Sequence, residues 1–491
     1  MPTESQLPNA LKYSDLISAN SALRQEVWSE LVRRDARQKN VIREFIGAEG
    51  SGKPIVEKRD LSAGGSDKVT FTTTAPIRGL GVLGESQLKD ATKKLRFGTF
   101  NVTVDLIRHA VSWTQVLRLM RFTGKTLDQL SAEVMADWYG RKEQDDILIS
   151  LRNAGVLNSG TNLVRPNGVS ATANLAATDL LNTGVIESGK QLLMSLGAKE
   201  MGIEKDVSGH ETPKFLFFGP EWAIRGLRSS STYLQALRDA DVRGPENRLF
   251  SGKYAMWDNN VIYSHNIQID TADGRQGSPL APIAYLGTAT ADGTATSITG
   301  GGTANPAGDG DYFAYFPGFP WKLTLAAAAE VDTATQHALI YNITGADKGK
   351  YEVVSYVTGG MNVDGKSITV IRGTTTTTAG TSGGGNVTAQ AAGKFTAVHP
   401  SGSIIVPCNR AGLPINWCLH LGGDALMYAK GAIDAEQIYH WDDFKNAKDE
   451  AHLSAVGIQG VRGYNVYKDT NGRIPGVLAV ETVANIPGIT L

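Results

Sequence analysis

The sequence predicts an α+β protein whose chain is interrupted by an inserted all-β segment. Three observations predict this class. Leu127, Leu130, Val134 and Trp138 recur at helical spacing, which indicates one long helix. Two earlier segments alternate β-branched or aromatic residues with polar ones, as strands do. From residue 287 to about residue 400 the composition changes to Gly, Thr, Ala and Ser, which is typical of a separate β domain.

Residues 1–48 are predicted to form an N-terminal arm. Apolar residues recur three to four apart over 20–46, including Leu23, Val27 and Leu31, so this stretch is predicted to be one helix. Its apolar face is narrow and its polar face is highly charged. Such a helix suits an arm that lies across another subunit better than a helix at the centre of a core.

Residues 49–110 are predicted to form an extended loop built on a β-ribbon. Its strands are Lys68-Val-Thr-Phe-Thr-Thr-Thr74 and Phe100-Asn-Val-Thr-Val-Asp-Leu106, joined by a long connection. A two-stranded ribbon is marginal in water by itself. We therefore expect another subunit to hold it.

A long helix is predicted within a domain of residues 111–175. Thr126 and Gln129 have the spacing of a capping box at its start, and Gly155 is predicted to end it. A helix of about 28 residues is about 42 Å long, so it spans a whole domain.

Residues 176–286 are predicted to form a mixed α/β domain. Leu180 to Leu196 and Pro220 to Arg238 have helical patterns, and Lys214 to Phe218 and Val261 to Ser264 have strand patterns.

The inserted segment, residues 287–400, is predicted to be a small β-sandwich or barrel. Its strand-like runs are Ala338 to Asn342, Tyr351 to Tyr356 and Ser367 to Ile371. Charged residues return over 401–491, which we expect to rejoin the domains that precede the insertion. Within this part, Asn471-Gly472 predicts a type I′ hairpin turn between Tyr464 to Tyr467 and Val477 to Val480.

The chain shows no residue set for catalysis, a cofactor or a metal. Gly47-Ala-Glu-Gly-Ser-Gly-Lys53 matches the first seven positions of a phosphate-binding loop, but Pro54 replaces the required Ser or Thr and has no N–H to offer a phosphate. The histidines are dispersed, and Cys408 and Cys418 are too far apart for a zinc or redox pair. Asp309 and Asp311 lack the rest of a calcium loop. We expect no enzyme activity.

Charge and hydropathy restrict the partners. The formal net charge is −1, so no global field attracts nucleic acid or an anionic membrane. No apolar run is long enough to span a membrane. Residues 1–20 have neither the basic start nor the apolar run of a signal peptide, so we expect none. Two cysteines fit folding in a reducing cytosol.

The tip of the ribbon is the one segment with a positive functional signal. Its basic residues outnumber Glu85 and Asp90, and they are Arg78, Lys89, Lys93, Lys94 and Arg96. A basic, glycine-rich tip can meet an acidic patch on a neighbour and steer association, which makes these residues candidates for intersubunit contact. The alternative is a solvated loop, and the sequence leaves both open.

Three stretches carry a resemblance to a known family. They are Lys68 to Gly84, with the segment Gly79-Leu-Gly-Val-Leu-Gly84; Val104 to Val111, followed by the helix with Ala136-Asp-Trp138; and Asn247 to Gly252 through His265. The C-terminal run Val456 to Val461 with Gly476 to Val480 is also similar to the closing strands of that family. Together with the order of arm, ribbon, long helix and α/β domain, they resemble the Hong Kong 97 capsid fold of tailed phages, most of all the major capsid family of N-four-like podophages. The resemblance covers about residues 20–285 and 401–491.

The resemblance implies a major capsid protein that self-assembles into pentamers and hexamers around double-stranded DNA, in a shell built in the host cytoplasm. It implies that the long helix is the spine of a peripheral domain, that residues 176–286 form the axial domain, and that the insertion is immunoglobulin-like. It also implies scaffolding, portal and decoration proteins as further partners. The alternatives are a phage tail or surface-layer protein, which does not need the ribbon followed at once by a long helix, and an α/β enzyme, for which no nucleophile, base or metal ligand was found.

Overall fold

The computed structural model describes most of the two large sheets and their helices. The described residues are 41–58, 68–74, 82, 94–114, 121–122, 125–157, 161–171, 174–201, 204–205, 211–212, 214–241, 255–265, 277–282, 284–286, 297–298, 312–315, 337–341, 351–356, 367–371, 399–400, 404–408, 413–430, 437–441 and 453–486.

The described residues form short helices, one long helix and many strands. The helices are α1 (Leu127–Leu157), α2 (Thr183–Leu196), α3 (Glu221–Ser229) and α4 (Ser231–Asp241), with 3-10 turns at Ile42–Phe45 and Pro166–Gly168. The first strands are β1 (Ile46–Ala48), β2 (Ile55–Lys58), β3 (Lys68–Thr74), β4 (Phe97–Thr103), β5 (Asp105–Thr114), β6 (Arg121–Phe122), β7 (Lys125–Thr126), β8 (Leu163–Val164), β9 (Glu204–Lys205), β10 (Glu211–Thr212), β11 (Phe215–Pro220), β12 (Ala255–Trp257), β13 (Asn260–His265), β14 (Gly277–Ser278) and β15 (Ala281–Pro282). The remaining strands are β16 (Ala284–Leu286), β17 (Ser297–Ile298), β18 (Tyr312–Tyr315), β19 (His337–Tyr341), β20 (Tyr351–Tyr356), β21 (Ser367–Ile371), β22 (His399–Pro400), β23 (Ile404–Cys408), β24 (Ile415–Leu421), β25 (Leu426–Lys430), β26 (Gln437–Trp441), β27 (Leu453–Val466) and β28 (Val477–Val483).

One compact unit comprises residues 1–49, 55–147 and 426–472. Its main sheet has the order β1-β2-β25-β27-β26, and β5 also pairs with β27. The start of α1 packs on this sheet through Met135 and Tyr139, which contact Ile458 of β27. Gly460 makes this packing possible, because a Cβ there would lie 1.8 Å from the Tyr139 hydroxyl.

The second compact unit comprises residues 50–54, 148–425 and 473–491. Its six-stranded sheet has the order β12-β13-β11-β24-β28-β8. Every residue of β11, β24 and β28 is buried, which explains their near-continuous apolar sequence. Helices α2 and α3 cover this sheet through a core centred on Ile186, Phe217 and Ile224.

The predicted helices form where they were expected, but the residues at which they begin or end differ from the prediction. Helix α1 begins at the predicted position but runs past Gly155, whose missing Cβ lets the helix approach Ala479, since a Cβ there would lie 2.6 Å from that side chain. Helix α2 begins at Thr183 rather than Leu180, because the Asn182 side chain accepts the Val185 N–H at 3.0 Å and caps it. The predicted helix from Pro220 to Arg238 is two helices, since Ser230 is extended.

Two predictions about neighbouring strands and helices were wrong. The arm helix does not continue to residue 46, because Ile42–Phe45 is a 3-10 turn followed by strand β1; residues 1–40 lie outside the described residues. The Asn471-Gly472 hairpin does not form. The chain does turn there, because Gly472 has a positive φ of 78° and its N–H donates to the Asp469 carbonyl oxygen. However, β27 and β28 on either side of the turn pair in different sheets.

The inserted segment forms a closed six-stranded barrel with the strand order β16-β18-β21-β20-β19-β23. All of its pairings are antiparallel. The barrel includes β16 and β23, which flank residues 287–400 on both sides. A barrel was one of the two architectures expected for this segment. The expected immunoglobulin-like domain has two separate sheets, whereas here the hydrogen-bonded strands close into a ring.

Candidate assembly surface

The ribbon is present as the antiparallel pair β3–β4, in register from Lys68 opposite Thr103 to Thr74 opposite Phe97. One face alternates into the core, with the cross-strand pairs Val69–Val102 and Phe71–Phe100. The rings of Phe71 and Phe100 lie 6.4 Å apart between centroids. This face packs on Val56, Met427 and Ala429 of the same chain. The expectation that another subunit holds the ribbon is therefore wrong for its base, which packs on other strands of the same chain.

The opposite face of the ribbon is exposed and, apart from Phe97, polar. Lys68, Thr70, Thr72 and Thr74 on β3 lie on it with alternate residues of β4. The Thr70 hydroxyl donates to the Asn101 side-chain oxygen at 2.9 Å across the strands. Gly98 brings β4 close to its surroundings, because a Cβ there would lie 2.7 Å from the Thr73 hydroxyl and 3.0 Å from Thr470.

The segment Lys94-Leu-Arg-Phe97 leads into β4 and is exposed throughout. Leu95 is 59% exposed and Phe97 is 66% exposed. We call these four residues the entry segment. Exposed large apolar side chains beside cations are typical of a protein–protein contact, since they combine hydrophobic area with charge.

Two of the five predicted contact residues lie in the entry segment. Lys94 and Arg96 are exposed there. Arg78, Lys89 and Lys93 lie outside the described residues. Leu95 and Phe97 were missed, although strand alternation places Phe97 on the same face as Thr99 and Asn101, where an aromatic residue has no core to fill.

The rejected chemical sites have structural explanations in the described residues. Gly50 and Gly52 adopt positive φ, but strand β2 follows Pro54 where a phosphate-binding loop needs a helix. Cys418 is buried, and burial raises the pKa of its thiol. Among the described residues, no group of three or more His, Cys, Asp or Glu side chains is placed to hold a metal ion. No helix among them is long and apolar enough to cross a membrane.

Comparisons with known proteins place this fold. The sequence matches the family described as "Phage capsid protein" over residues 16–301, more than half of the chain. No curated protein matches it. The capsid of Ralstonia phage GP4 is similar in structure, with 15% identity, a TM-score of 0.53, and coverage of 95% of this chain and 97% of that chain. The capsid of cyanophage Pam1 has 13% identity, a TM-score of 0.54, and coverage of 95% and 98%.

A third similar structure is the capsid of Helicobacter pylori bacteriophage KHP30, at 10% identity and a TM-score of 0.51, over 97% of this chain and 100% of that chain. Identities this low show a common fold across the full length, and the family match carries the function, which is structural rather than enzymatic. The chain therefore belongs to the phage capsid protein family, as a major capsid protein that forms the shell of a phage head.

Proposed function

We propose that copies of this chain assemble into pentamers and hexamers of an icosahedral shell around double-stranded DNA, with the ribbon reaching a neighbouring copy. The observation that carries the proposal is the entry segment, where Leu95 and Phe97 are exposed beside the cations Lys94 and Arg96, although the base of the same ribbon is packed in a core. An apolar pair left in water near the tip of a ribbon is stabilised only when another surface covers it.

We propose the Hong Kong 97 arrangement for this subunit. Residues 1–48 then form the arm, 49–110 the extended loop, 111–175 the peripheral domain with α1 as its spine, and 176–286 with parts of 401–491 the axial domain. The support is the order of elements along the chain and the similarity in fold to capsid proteins. Scaffolding, portal and decoration proteins are further partners in this proposal, and assembly takes place in the host cytoplasm.

The shell built from these subunits encloses DNA without binding it tightly. A net charge of −1 gives the subunit no overall attraction to phosphates, and tight binding of DNA depends on many neutralising cations. The contact to DNA is independent of base sequence.

The experiment for the ribbon contact reverses its charges. Lys94→Glu together with Arg96→Glu is expected to leave the free energy of unfolding within about 0.5 kcal/mol of wild type, as exposed substitutions usually do. Shell formation is expected to slow markedly, because every subunit repeats the defect and charges at the rim act on association. Denaturant unfolding of the subunit and light scattering during assembly measure the two effects.

High salt should narrow the difference in assembly rate between the variant and wild type, since salt screens exposed charges. Equal loss of folding and assembly would show that the entry segment belongs to a core. Unchanged assembly would show that Lys94 and Arg96 lie in a solvated loop.

We also propose that the barrel is a separable domain facing the outside of the shell. Its six strands pair only with one another among the described residues. Replacing residues 284–408 with a short Gly/Ser linker is expected to leave a soluble chain that unfolds cooperatively and still forms shells. Loss of cooperative unfolding, measured by circular dichroism against denaturant, would instead place the barrel in the core of its unit.

A further inference from the structure

Strand β5 is a long edge strand. It pairs residue by residue with β27, from Asp105 opposite Arg462 to Thr114 opposite Leu453. Among the described residues, no strand pairs with its other side. The other outer strands of the two large sheets are shorter: β1 and β12 have three residues, β26 has five and β8 has two. An open edge as long as β5 therefore stands apart from them.

The outward main-chain groups of β5 can be assigned from one hydrogen bond. The Leu106 N–H donates to the Asp105 carboxylate at 2.7 Å, so it points away from β27. Antiparallel strands alternate inward and outward amides. The amides of Arg108 and Ala110 therefore also point outward, and the amide of His109 points toward β27. Leu106 is 46% exposed, and Arg108 and Ala110 are exposed as well.

This edge lacks the usual protection against another strand. Proteins guard long edges with proline, lysine, bulges or very short strands. The sequence Asp-Leu-Ile-Arg-His-Ala-Val-Ser-Trp-Thr of β5 has no proline, lysine or glycine, and its charges are one acid and one base. A second copy of the chain consequently meets no net like charge there.

We propose that β5 is an intersubunit pairing edge, at which a strand of a second copy adds to the sheet through the outward amides of Arg108 and Ala110 and the outward carbonyl groups of this side of the strand. This inference rests on the proposed function, because only a shell of identical subunits brings a second copy to this edge of every molecule. Strand addition of this kind derives its affinity from main-chain hydrogen bonds, while side chains select the partner.

Proline substitutions test the pairing because they remove single N–H groups. Arg108→Pro removes an outward amide, and edge strands tolerate proline at such positions. We expect its unfolding midpoint to match wild type and its yield of particles to fall by about tenfold or more, since each lost contact recurs in every subunit. His109→Pro is the matched control, because it removes a bond to β27 and should lower the unfolding midpoint. Arg108→Ala keeps the amide and should assemble as wild type does.

Normal assembly of Arg108→Pro, with an unchanged midpoint, would overturn the pairing edge while leaving the shell and the ribbon contact intact. If wild-type protein forms no particles, the proposed function itself fails. Should Arg108→Pro fail to fold, hydrogen exchange of the wild-type protein decides: the amides of Arg108 and Ala110 should exchange quickly in the free subunit and slowly in the shell. Equal exchange in both states would overturn the proposal.

Discussion

Replacing Phe100 with alanine is expected to lower the free energy of unfolding by about 3–5 kcal/mol, the usual cost of emptying an aromatic site in a core. Phe100 is 8% exposed, packs beside Phe71 and lies 6.5 Å from Tyr467 between ring centroids. Its ring joins the ribbon to Val56 and Met427, so a cavity there loosens the ribbon from the sheet beneath it. Denaturant unfolding followed by tryptophan fluorescence measures the change.

Phe97→Ala is the matched substitution on the same strand. Its ring is 66% exposed, so the free energy of unfolding should stay within about 0.5 kcal/mol of wild type. Shell formation should fall sharply, because an exposed aromatic at a contact is the type of side chain that dominates interface energy. A variant at Phe97 that unfolds as easily as Phe100→Ala, or one that assembles normally, would contradict the assignment of the entry segment to a subunit contact.

The subunit is expected to lose about 3 kcal/mol of stability between pH 7 and pH 4 through His420 alone. This side chain is fully buried, lies edge-on to Phe217 at 5.5 Å and has its Nε2 atom 2.9 Å from the Asn260 side-chain oxygen. Burial, followed by the charge of Lys190, lowers the pKa of His420 to about 3. In the unfolded chain its pKa is near 6.5, so acid protonates the unfolded state first.

The sign follows from proton binding. Between about pH 6.5 and pH 3 the unfolded chain holds the proton and the folded one does not, so stability falls as the pH falls. His420→Phe keeps the aromatic contacts and removes the titration. Its stability at pH 7 should be lower, because Asn260 loses a partner, but its further loss toward pH 4 should be smaller than that of wild type by about 3 kcal/mol. Parallel pH profiles for the two proteins would show that His420 is protonated without unfolding.

Much of the fold follows from local patterns in the sequence. The spacing of apolar residues by about 3.6 positions predicted α1 and α2. Strand-like patterns predicted β3 and the inserted strands β19, β20 and β21. Such patterns arise because a helix or strand that buries one face repeats apolar residues with its own structural period. Pairing did not follow. A hairpin was predicted between residues 464–467 and 477–480, yet β27 and β28 join separate sheets, since strand partners depend on distant residues such as Asp105 and Ile415.

The intersubunit contact remains a proposal: the sequence suggested its basic residues, and the structure added the exposed apolar residues. Lys94 and Arg96 stand out as a basic cluster, whereas Leu95 and Phe97 look like core residues until the register of β4 shows that the face of Phe97 is exposed. The position of β5 at a sheet edge could not be predicted from local sequence patterns either, because a strand lies at an edge only when the other strands pair elsewhere.

Electron microscopy of the purified chain under assembly conditions shows whether it builds a shell. We expect closed icosahedral shells whose surfaces resolve into pentamers and hexamers of one protein. Dispersed monomers under all conditions, or open tubes and planar lattices without pentamers, would contradict the claim that this chain builds the shell of a phage head.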